Sequence, residues 1–313
     1  MSFLPVLLAM QGAVSQGVLW GIMTLGVYVT YKVLDFADLT VDGSFALGGA
    51  VSAVFFVNGM NPFLSLLMAF IAGGLAGLVT GLLNTKLKIP GILAGILTMI
   101  ALYSVNIRIM GKSNLPFGKM PTMVTCLDFL GFSKVTTALI LGVAFSAVII
   151  ALMYWFFGTE IGCAIRATGN NEKMVRAQGV NTDTMKIIGL VISNALVALS
   201  GAMVSQSQGY ADVGMGTGTI VIGLASVIIG EVVMGKHFGF WYLLASVVVG
   251  SVIYRIIIAV VLQLGLETSD LKLLTAIIVA VALSVPVMKK NYQRFAKKRV
   301  KIRNSSESAE NIK

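Results

Sequence analysis

The sequence predicts an all-α polytopic membrane protein, and three observations predict it. Hydrophobic residues make up 57% of the 313 positions and charged residues only 12%, against roughly 45–50% and about 25% in an average soluble domain. A water-soluble core cannot hide that much apolar surface, and mean hydropathy is accordingly +0.91. The apolar residues fall into runs near or above the roughly 17–25 residues that cross a bilayer as a helix, and most polar breaks between runs are short. Backbone groups in lipid must be hydrogen-bonded within the segment, and the runs lack the alternation of a barrel strand, so each run is read as a helix.

In order, the runs are 6–31, 40–57, 62–83, 89–109, 135–157, 186–207, 218–234, 239–262 and 271–288. That gives about nine spans, within a range of about eight to ten, because the first run is long enough to break and Gly-rich stretches blur the edges. Orientation follows from the basic residues. With the segment after Met288 cytoplasmic and the spans alternating, Lys32, Lys86, Lys88, Arg166, Lys173, Arg176, Lys186, Lys236 and the nine basic residues of the tail fall inside. Arg108, Lys112, Lys119, Lys134 and Lys272 fall outside. Seventeen against five fixes the orientation and places the N-terminus outside. No basic stretch precedes the first run, so it is expected to stay in the membrane and not to be cleaved as a signal peptide.

Net charge is +10, but Lys289 to Arg303 alone hold eight basic residues and no acid, which leaves +2 for the remainder. The basicity belongs to the tail, expected to lie against anionic lipid headgroups and not nucleic acid. Residues Asn304 to Lys313 are expected to be disordered. Two connections are long, an outer one over about 110–134 and an inner one over about 158–185, and long connections in a compact protein tend to be functional. Cys126 and Cys163 fall on opposite sides of the membrane and are assigned neither a disulfide nor a metal.

Catalytic constellations are thin. His237 sits in an inner turn, GKHFG, without a second ligand or a carboxylate nearby, so no metal site or catalytic dyad is expected. No GxxxxGK[ST] phosphate loop occurs, so any ATP binding must come from a partner chain. Arg255 is the one clear charge inside a span, and it is expected to reach outward toward Glu267 or Asp270. The break LDFADLTVDGS, Leu34 to Ser44, packs Asp35, Asp38 and Asp42 between the first two spans, where Thr40 or Asp42 is positioned to cap the helix that begins near Gly43. Two readings stay open. At the surface these are solvated acids; inside the membrane, polar backbone is tolerated only beside a cavity.

Polar side chains in or beside apolar spans, Asp42, Ser44, Asn106, Asn194 and Gln206, either line a passage or form packing hydrogen bonds worth about 0.6 kcal/mol each. Gly73, Gly77 and Gly81 form GxxxGxxxG in the third span, and Gly214, Gly216, Gly218, Gly223 and Gly230 run through the seventh. Such small residues mark close helix contacts, within one chain or between two.

The inner connection is patterned. Asn171 is expected to cap a short helix starting at Glu172, where a negative charge suits the positive helix end, and Gly179 to stop it in left-handed conformation. Met174, Val175 and Gln178 are expected to share one face and to offer a small apolar patch to a partner. Ile161, Ala164 and Ile165 continue a helical stripe out of the fifth span.

These residues resemble a known family, the permeases of bacterial ABC importers related to the branched-chain amino acid and ribose permeases. The resemblance covers nearly the whole chain before the tail. Its most specific piece is G-x-x-x-R-A-x-G-x-N, here Gly162, Arg166, Ala167, Gly169 and Asn171, then Gly179, and later Ser200 with Gly201. The stretches LDFADLTVDGSFALGGA and KIPGILAGILTMIALYSVNIRIMG look most like the subgroup described as tryptophan/tyrosine or uncharacterised amino-acid permeases. The resemblance implies an ABC importer permease fold over 1–288, with a coupling loop over about 158–185, and a basic cytoplasmic tail over 289–313. It implies a bacterial inner-membrane, non-catalytic subunit that pairs with a second copy as a homodimer. Two cytoplasmic ATPase subunits would bind ATP and Mg, and an extracytoplasmic binding protein would deliver a small solute, an amino acid with an aromatic one as the candidate; the alternative reading of the residues is a secondary carrier or channel for a small solute. Arg166, Asn171, Glu172, Met174, Val175, Arg176, Gln178 and Gly179 would then couple to the ATPase, and Asp42, Ser44, Asn106, Asn194 and Gln206 would be pathway candidates. The residues of the break at Asp35 to Asp42 differ from those of the relatives, so no substrate contact is carried over to it.

Overall fold

The computed structural model describes residues 3–118, 120, 122–125, 133–235, 239–265, 270, 273–281 and 284. Among them, eight helical segments are long and apolar enough to cross a membrane. Helix α1 (Phe3–Tyr28) runs on through a π-helical turn, Val29–Val33, and is followed by α2 (Thr40–Val57), α3 (Pro62–Thr85) and α4 (Gly91–Met110). After a short strand β1 (Asn114–Pro116) come α5 (Lys134–Phe157), two short helices α6 (Glu160–Asn170) and α7 (Glu172–Ala177), and the long α8 (Thr182–Gln208). Strand β2 (Tyr210–Asp212) and a 3-10 turn, Val213–Gly216, lead into α9 (Thr219–Met234), and α10 (Phe240–Gln263) follows. Residues 273–281 are helical where the ninth run was expected. Cys126, His237 and the tail 289–313 lie outside the described residues.

The elements depart from the sequence expectation in three places. The outer connection contributes β1 to a two-stranded antiparallel sheet with β2, pairing Asn114 with Asp212 and Pro116 with Tyr210. The stripe of Ile161, Ala164 and Ile165 does not continue the fifth span. Instead α5 ends before Gly158, and Thr159 starts α6 by accepting a hydrogen bond from Gly162 N (3.3 Å). Neither Thr40 nor Asp42 caps α2. Its N-cap is Leu39, and the buried Thr40 N–H, free at the helix start, is met from outside the helix by Asp38 Oδ1 (2.9 Å).

Helix α8 is the axis of the packing. It is buried on nearly every side from Ser193 to Gln206, against α1, α2 and α3. Lipid supplies no hydrophobic force between helices, so close packing depends on small residues that let backbones approach. Gly73, Gly77 and Gly81 of α3 supply them, meeting Asn194 and Ala198, Leu190, and Ile187 of α8 within the same chain. A methyl group at Gly77 would collide with the Leu190 carbonyl. The same device recurs where Gly17 of α1 lies on Val252 of α10, and where Gly230 of α9 and Gly250 of α10 interlock. Helices α4 and α5 stay peripheral, with large exposed apolar side chains such as Ile100, Tyr103, Val148 and Trp155, as a lipid-facing surface requires.

Candidate functional site

The break between the first two spans turns inward. Leu34 and Asp38 are buried, while Asp35 and Ala37 remain exposed. Asp38 is only 2% exposed and is held at both oxygens: Thr40 N donates to Oδ1 (2.9 Å) and Asn194 Nδ2 donates to Oδ2 (2.7 Å). Asn194 also donates to Leu190 O (3.0 Å), and its Oδ1 accepts from Ser44 Oγ (2.7 Å). The hydroxyls of Thr40, Thr80 and Thr98 extend the chain of hydrogen bonds from α2 through α3 to α4, at 2.7 and 3.0 Å. Asn194 lies twelve residues into α8, roughly 18 Å from its inner end at 1.5 Å per residue. The polar break therefore reaches well into the bundle, and α2, 18 residues long, begins there with its positive end facing a carboxylate.

Asp42 belongs to a second helix end. Its carboxylate accepts from Gly218 N (2.8 Å), Thr219 Oγ1 (2.8 Å) and Ile220 N (2.9 Å), so a side chain of α2 satisfies the free N–H groups that open α9. Gly216 meets the Asp42 carbonyl and has no room for a side chain. Beside this junction lies a cavity of about 420 Å³, lined by Asp42, Gly43 and Ala46 of α2, by Met99, Ile100, Tyr103, Ser104 and Asn106 of α4, and by Val213 and Thr217. Asn106 is 1% exposed and donates from Nδ2 to Gly43 O (3.4 Å), while its Oδ1 has no partner.

The five polar candidates thus divide. Asp42 and Asn106 line the cavity, whereas Ser44 and Asn194 are wholly buried links of the hydrogen-bonded network. Gln206 is a third kind: the two N–H groups of its Nε2 lie within hydrogen-bond reach of Ser52 Oγ, Pro62 O and Ser65 Oγ, and its Oε1 accepts from Met123 N, so it ties α8 to α2, α3 and the outer connection. It also borders an outer cavity of about 940 Å³ together with Ser15, Gln16, Thr122, Thr125 and Lys134. Arg255 does not reach outward. Its guanidinium lies over the Trp20 ring, 3.9 Å from the centroid, and no acid among the described residues pairs with it. The ring face offers a desolvated cation what a carboxylate would otherwise supply. Glu267 lies outside the described residues.

The inner loop is built as a clamp. Asn171 Oδ1 accepts from Met174 N (3.1 Å) and opens α7, and Gly179 ends it at φ +87°. Glu172 is the hub: Lys186 Nζ donates to Oε2 (2.7 Å), while Arg176 Nη2 (3.1 Å) and Thr182 Oγ1 (3.2 Å) donate to Oε1. The Lys186 hydrogen bond, more than its charge, holds the Glu172 carboxyl below the usual glutamate range, against the smaller opposing effect of partial burial. Arg176 also reaches Asp183 (3.2 Å), so Glu172 and Arg176 of α7 are fastened to Thr182, Asp183 and Lys186 at the start of α8. Arg166 anchors α6 to the spans, over the Phe240 ring at 5.2 Å and toward Phe157 O at 3.5 Å. Gly169 meets the Val33 carbonyl at the end of the first span.

One expectation about this loop is corrected. Val175 is 1% exposed and points into the protein, while Met174 is 46% exposed. The outward patch is therefore Met174 with the exposed Gln178, and Val175 is the apolar plug that seats α7. A six-residue helix is too short for its hydrophobic period to define which side is covered. Reading the sequence also passed over Asp38, Thr80, Thr98, Asp183 and Lys186 as site residues. The polar pairs Thr80 and Thr98 inside apolar runs were the available signal for the network, and the acid–base pattern Glu172, Asp183, Lys186 for the clamp.

Comparison with known proteins agrees with this architecture. The chain is 40% identical over 273 residues to a tyrosine transport system permease protein of Clostridioides difficile, covering 86% of this chain and 90% of that one. It is 33% identical to an uncharacterized protein of Rickettsia prowazekii, over 87% of this chain and 95% of the other. A ribose import permease protein of Escherichia coli strain K12 is 28% identical over about half of each chain, 52% and 51%. The sequence model of the family described as branched-chain amino acid transport system / permease component matches residues 9–284. With that match spanning all eight candidate membrane helices among the described residues, the chain belongs to the branched-chain amino acid transport permease family.

Proposed function

We propose that the chain is the membrane subunit of an ATP-driven importer in a bacterial inner membrane, carrying a small amino acid of aromatic kind. The tyrosine permease relative supports the substrate class, and the few fixed charges lining the cavity between α2 and α4 suit a zwitterion. The reading assigns ATP and Mg to two cytoplasmic ATPase subunits, substrate capture to an extracytoplasmic binding protein, and completion of the passage to a second copy of this chain.

The observation that carries the reading is continuity from the inner loop to the break. Glu172, Arg176, Thr182, Asp183 and Lys186 join α7 to the start of α8, and Asn194 of α8 joins Asp38 and Ser44 at mid-depth. A displacement imposed on α7 by an ATPase subunit is handed to α8 as a rigid body and shifts the polar break beside the cavity. This is the differential contact a two-state transporter requires. The permease itself performs no bond chemistry.

The test uses Met174, the exposed apolar side chain of α7. In the assembled complex, Met174→Asp abolishes co-purification of the ATPase subunit while the permease still expresses and folds. Val175→Asp, which buries a charge, instead lowers the amount of folded permease. Retained ATPase association with Met174→Asp sinks the docking assignment.

A further inference from the structure

Where the inner end of the first span meets the inner loop, the chain departs from regular geometry three times. The span ends in the π-helical turn Val29–Val33, a form frequent at functional sites. Asp35 then takes a left-handed φ of +52°, a region that favours glycine and that Asp tolerates better than most residues. Opposite, Gly169 of α6 approaches the Val33 carbonyl and the Leu34 backbone so closely that no side chain fits. These features enclose a cavity of about 390 Å³, within the roughly 300–1,000 Å³ range of small-molecule sites.

The cavity wall carries both signs of charge and keeps them apart. Asp35 enters it from the break and Arg166 from α6, yet no ion pair joins the two, and neither is paired with any other charge among the described residues. The remaining charge, Lys32, is taken by Glu231 at 3.1 Å. Arg166 spends little of its five-donor guanidinium on the protein, with one long contact to Phe157 O at 3.5 Å and its charge over the Phe240 ring. Asp35 and Arg166 are both exposed, so a solute on the inner side reaches them. Tyr31, 39% exposed, adds an aromatic wall.

The guanidinium fork matches a carboxylate in two-pronged fashion, and the Asp35 carboxylate matches an ammonium. A simple anion drawn to Arg166 meets the repulsion of Asp35, and a simple cation drawn to Asp35 meets that of Arg166. A molecule with an anionic and a cationic end on adjacent atoms satisfies both. We propose that this cavity binds a free amino acid on the inner side of the membrane, its carboxylate on Arg166 and its ammonium on Asp35. The proposal rests on the reading that the chain carries an amino acid, and adds to it an inner site, apart from the cavity between α2 and α4, where the released solute is held. The occupant bridges α6 and the break.

The experiment reads occupancy and needs no transport. The permease is purified in nanodiscs with its ATPase partner, carrying Cys126→Ser, Cys163→Ser and the reporter Asn170→Cys on the exposed cavity rim, and maleimide labelling of the reporter is timed. Tyrosine at millimolar concentration is expected to slow labelling. Tyramine, which lacks the carboxylate, and 3-(4-hydroxyphenyl)propionate, which lacks the ammonium, are each expected to need about tenfold more, the size of one lost charged hydrogen bond. Asp35→Asn keeps a residue that tolerates the left-handed backbone, and is expected to weaken tyrosine protection about tenfold while leaving that by the propionate unchanged. Arg166→Lys, which keeps the charge and loses the fork, is expected to weaken both. No protection by tyrosine, protection by the propionate or by inorganic phosphate equal to that by tyrosine, or unchanged tyrosine protection in Asp35→Asn overturns the proposal. Failure of the transport reading is separate, and appears as absent tyrosine uptake by the unmodified importer with its binding protein.

Discussion

Asn194→Leu tests whether the buried network between α8 and the break is a structural bond or a set of incidental contacts. The substitution keeps the branched shape and the number of heavy atoms, at a larger volume, and removes a donor and an acceptor at once. Asp38 Oδ2 then loses its 2.7 Å partner and the Ser44 hydroxyl loses its acceptor, both where exposure is 2% or less. Hydrogen bonds to charged groups contribute about 1.5–3 kcal/mol, whereas side-chain hydrogen bonds between membrane helices average about 0.6 kcal/mol, with a maximum of about 1.7. The membrane average is low because the unfolded chain in lipid finds other partners. Asp38 sits in an extended segment outside any helix, and neighbouring residues of its own segment do not replace Asn194. The coupling in a double-mutant cycle of Asn194→Leu with Asp38→Ala is therefore expected at about 1.5–3 kcal/mol. Reversible unfolding of the purified permease in mixed detergent–SDS micelles measures it. A coupling at or below about 0.6 kcal/mol refutes the reasoning and returns Asn194 to ordinary helix packing.

The Glu172 clamp carries a pH signature. A carboxyl held below its usual range stabilises the fold fully above the ordinary glutamate value of about 4.3 and loses that contribution as pH falls through the lowered value. As pH falls below the ordinary glutamate value of about 4.3 and through the lowered one, the permease is expected to lose thermal stability more steeply than Glu172→Gln, and parallel curves for the two proteins contradict the assignment. The pairs are partly exposed, so the loss at neutral pH is expected to be small, about 1 kcal/mol or less. For the α3–α8 contact, Gly77→Ala forces a methyl group against the Leu190 carbonyl, whereas Gly74→Ala meets nothing nearer than 3.5 Å. The first is expected to destabilise by about 1–3 kcal/mol and the second by a small fraction of that, read by the same unfolding assay. Equal costs at the two positions rule out backbone approach as the reason for the glycine.

The membrane helices were legible because a long apolar run has one stable answer in lipid. The expected 40–57 is Thr40–Val57 and the expected 135–157 is Lys134–Phe157. The largest miss is at the start of α8, expected at 186 and found at Thr182. There the first turn, Thr182 to Met185, is polar because it leaves the apolar layer and joins the clamp. The Asn171 cap and the Gly179 stop were legible for a local reason, since each acts within three residues. What escaped depends on partners distant in sequence. Asp42 looked like a cap for the helix it begins, yet it caps α9, some 176 residues away. The short sheet of β1 and β2 joins segments almost a hundred residues apart, and three residues per strand leave no period to detect.

Helix α8, described above as the axis of packing, also has the mechanics of a lever. Its 27 residues give a rod roughly 40 Å long at 1.5 Å per residue. The inner end is loaded by α7, and the outer end runs straight into β2, whose pairing with β1 makes a pivot. Asn194 sits near the middle, about 18 Å from the load and about 21 Å from the pivot. A sideways displacement at Thr182 is therefore delivered to Asp38 and Ser44 at about half its amplitude and about twice its force. The gearing favours breaking and remaking short hydrogen bonds over sweeping a wide channel.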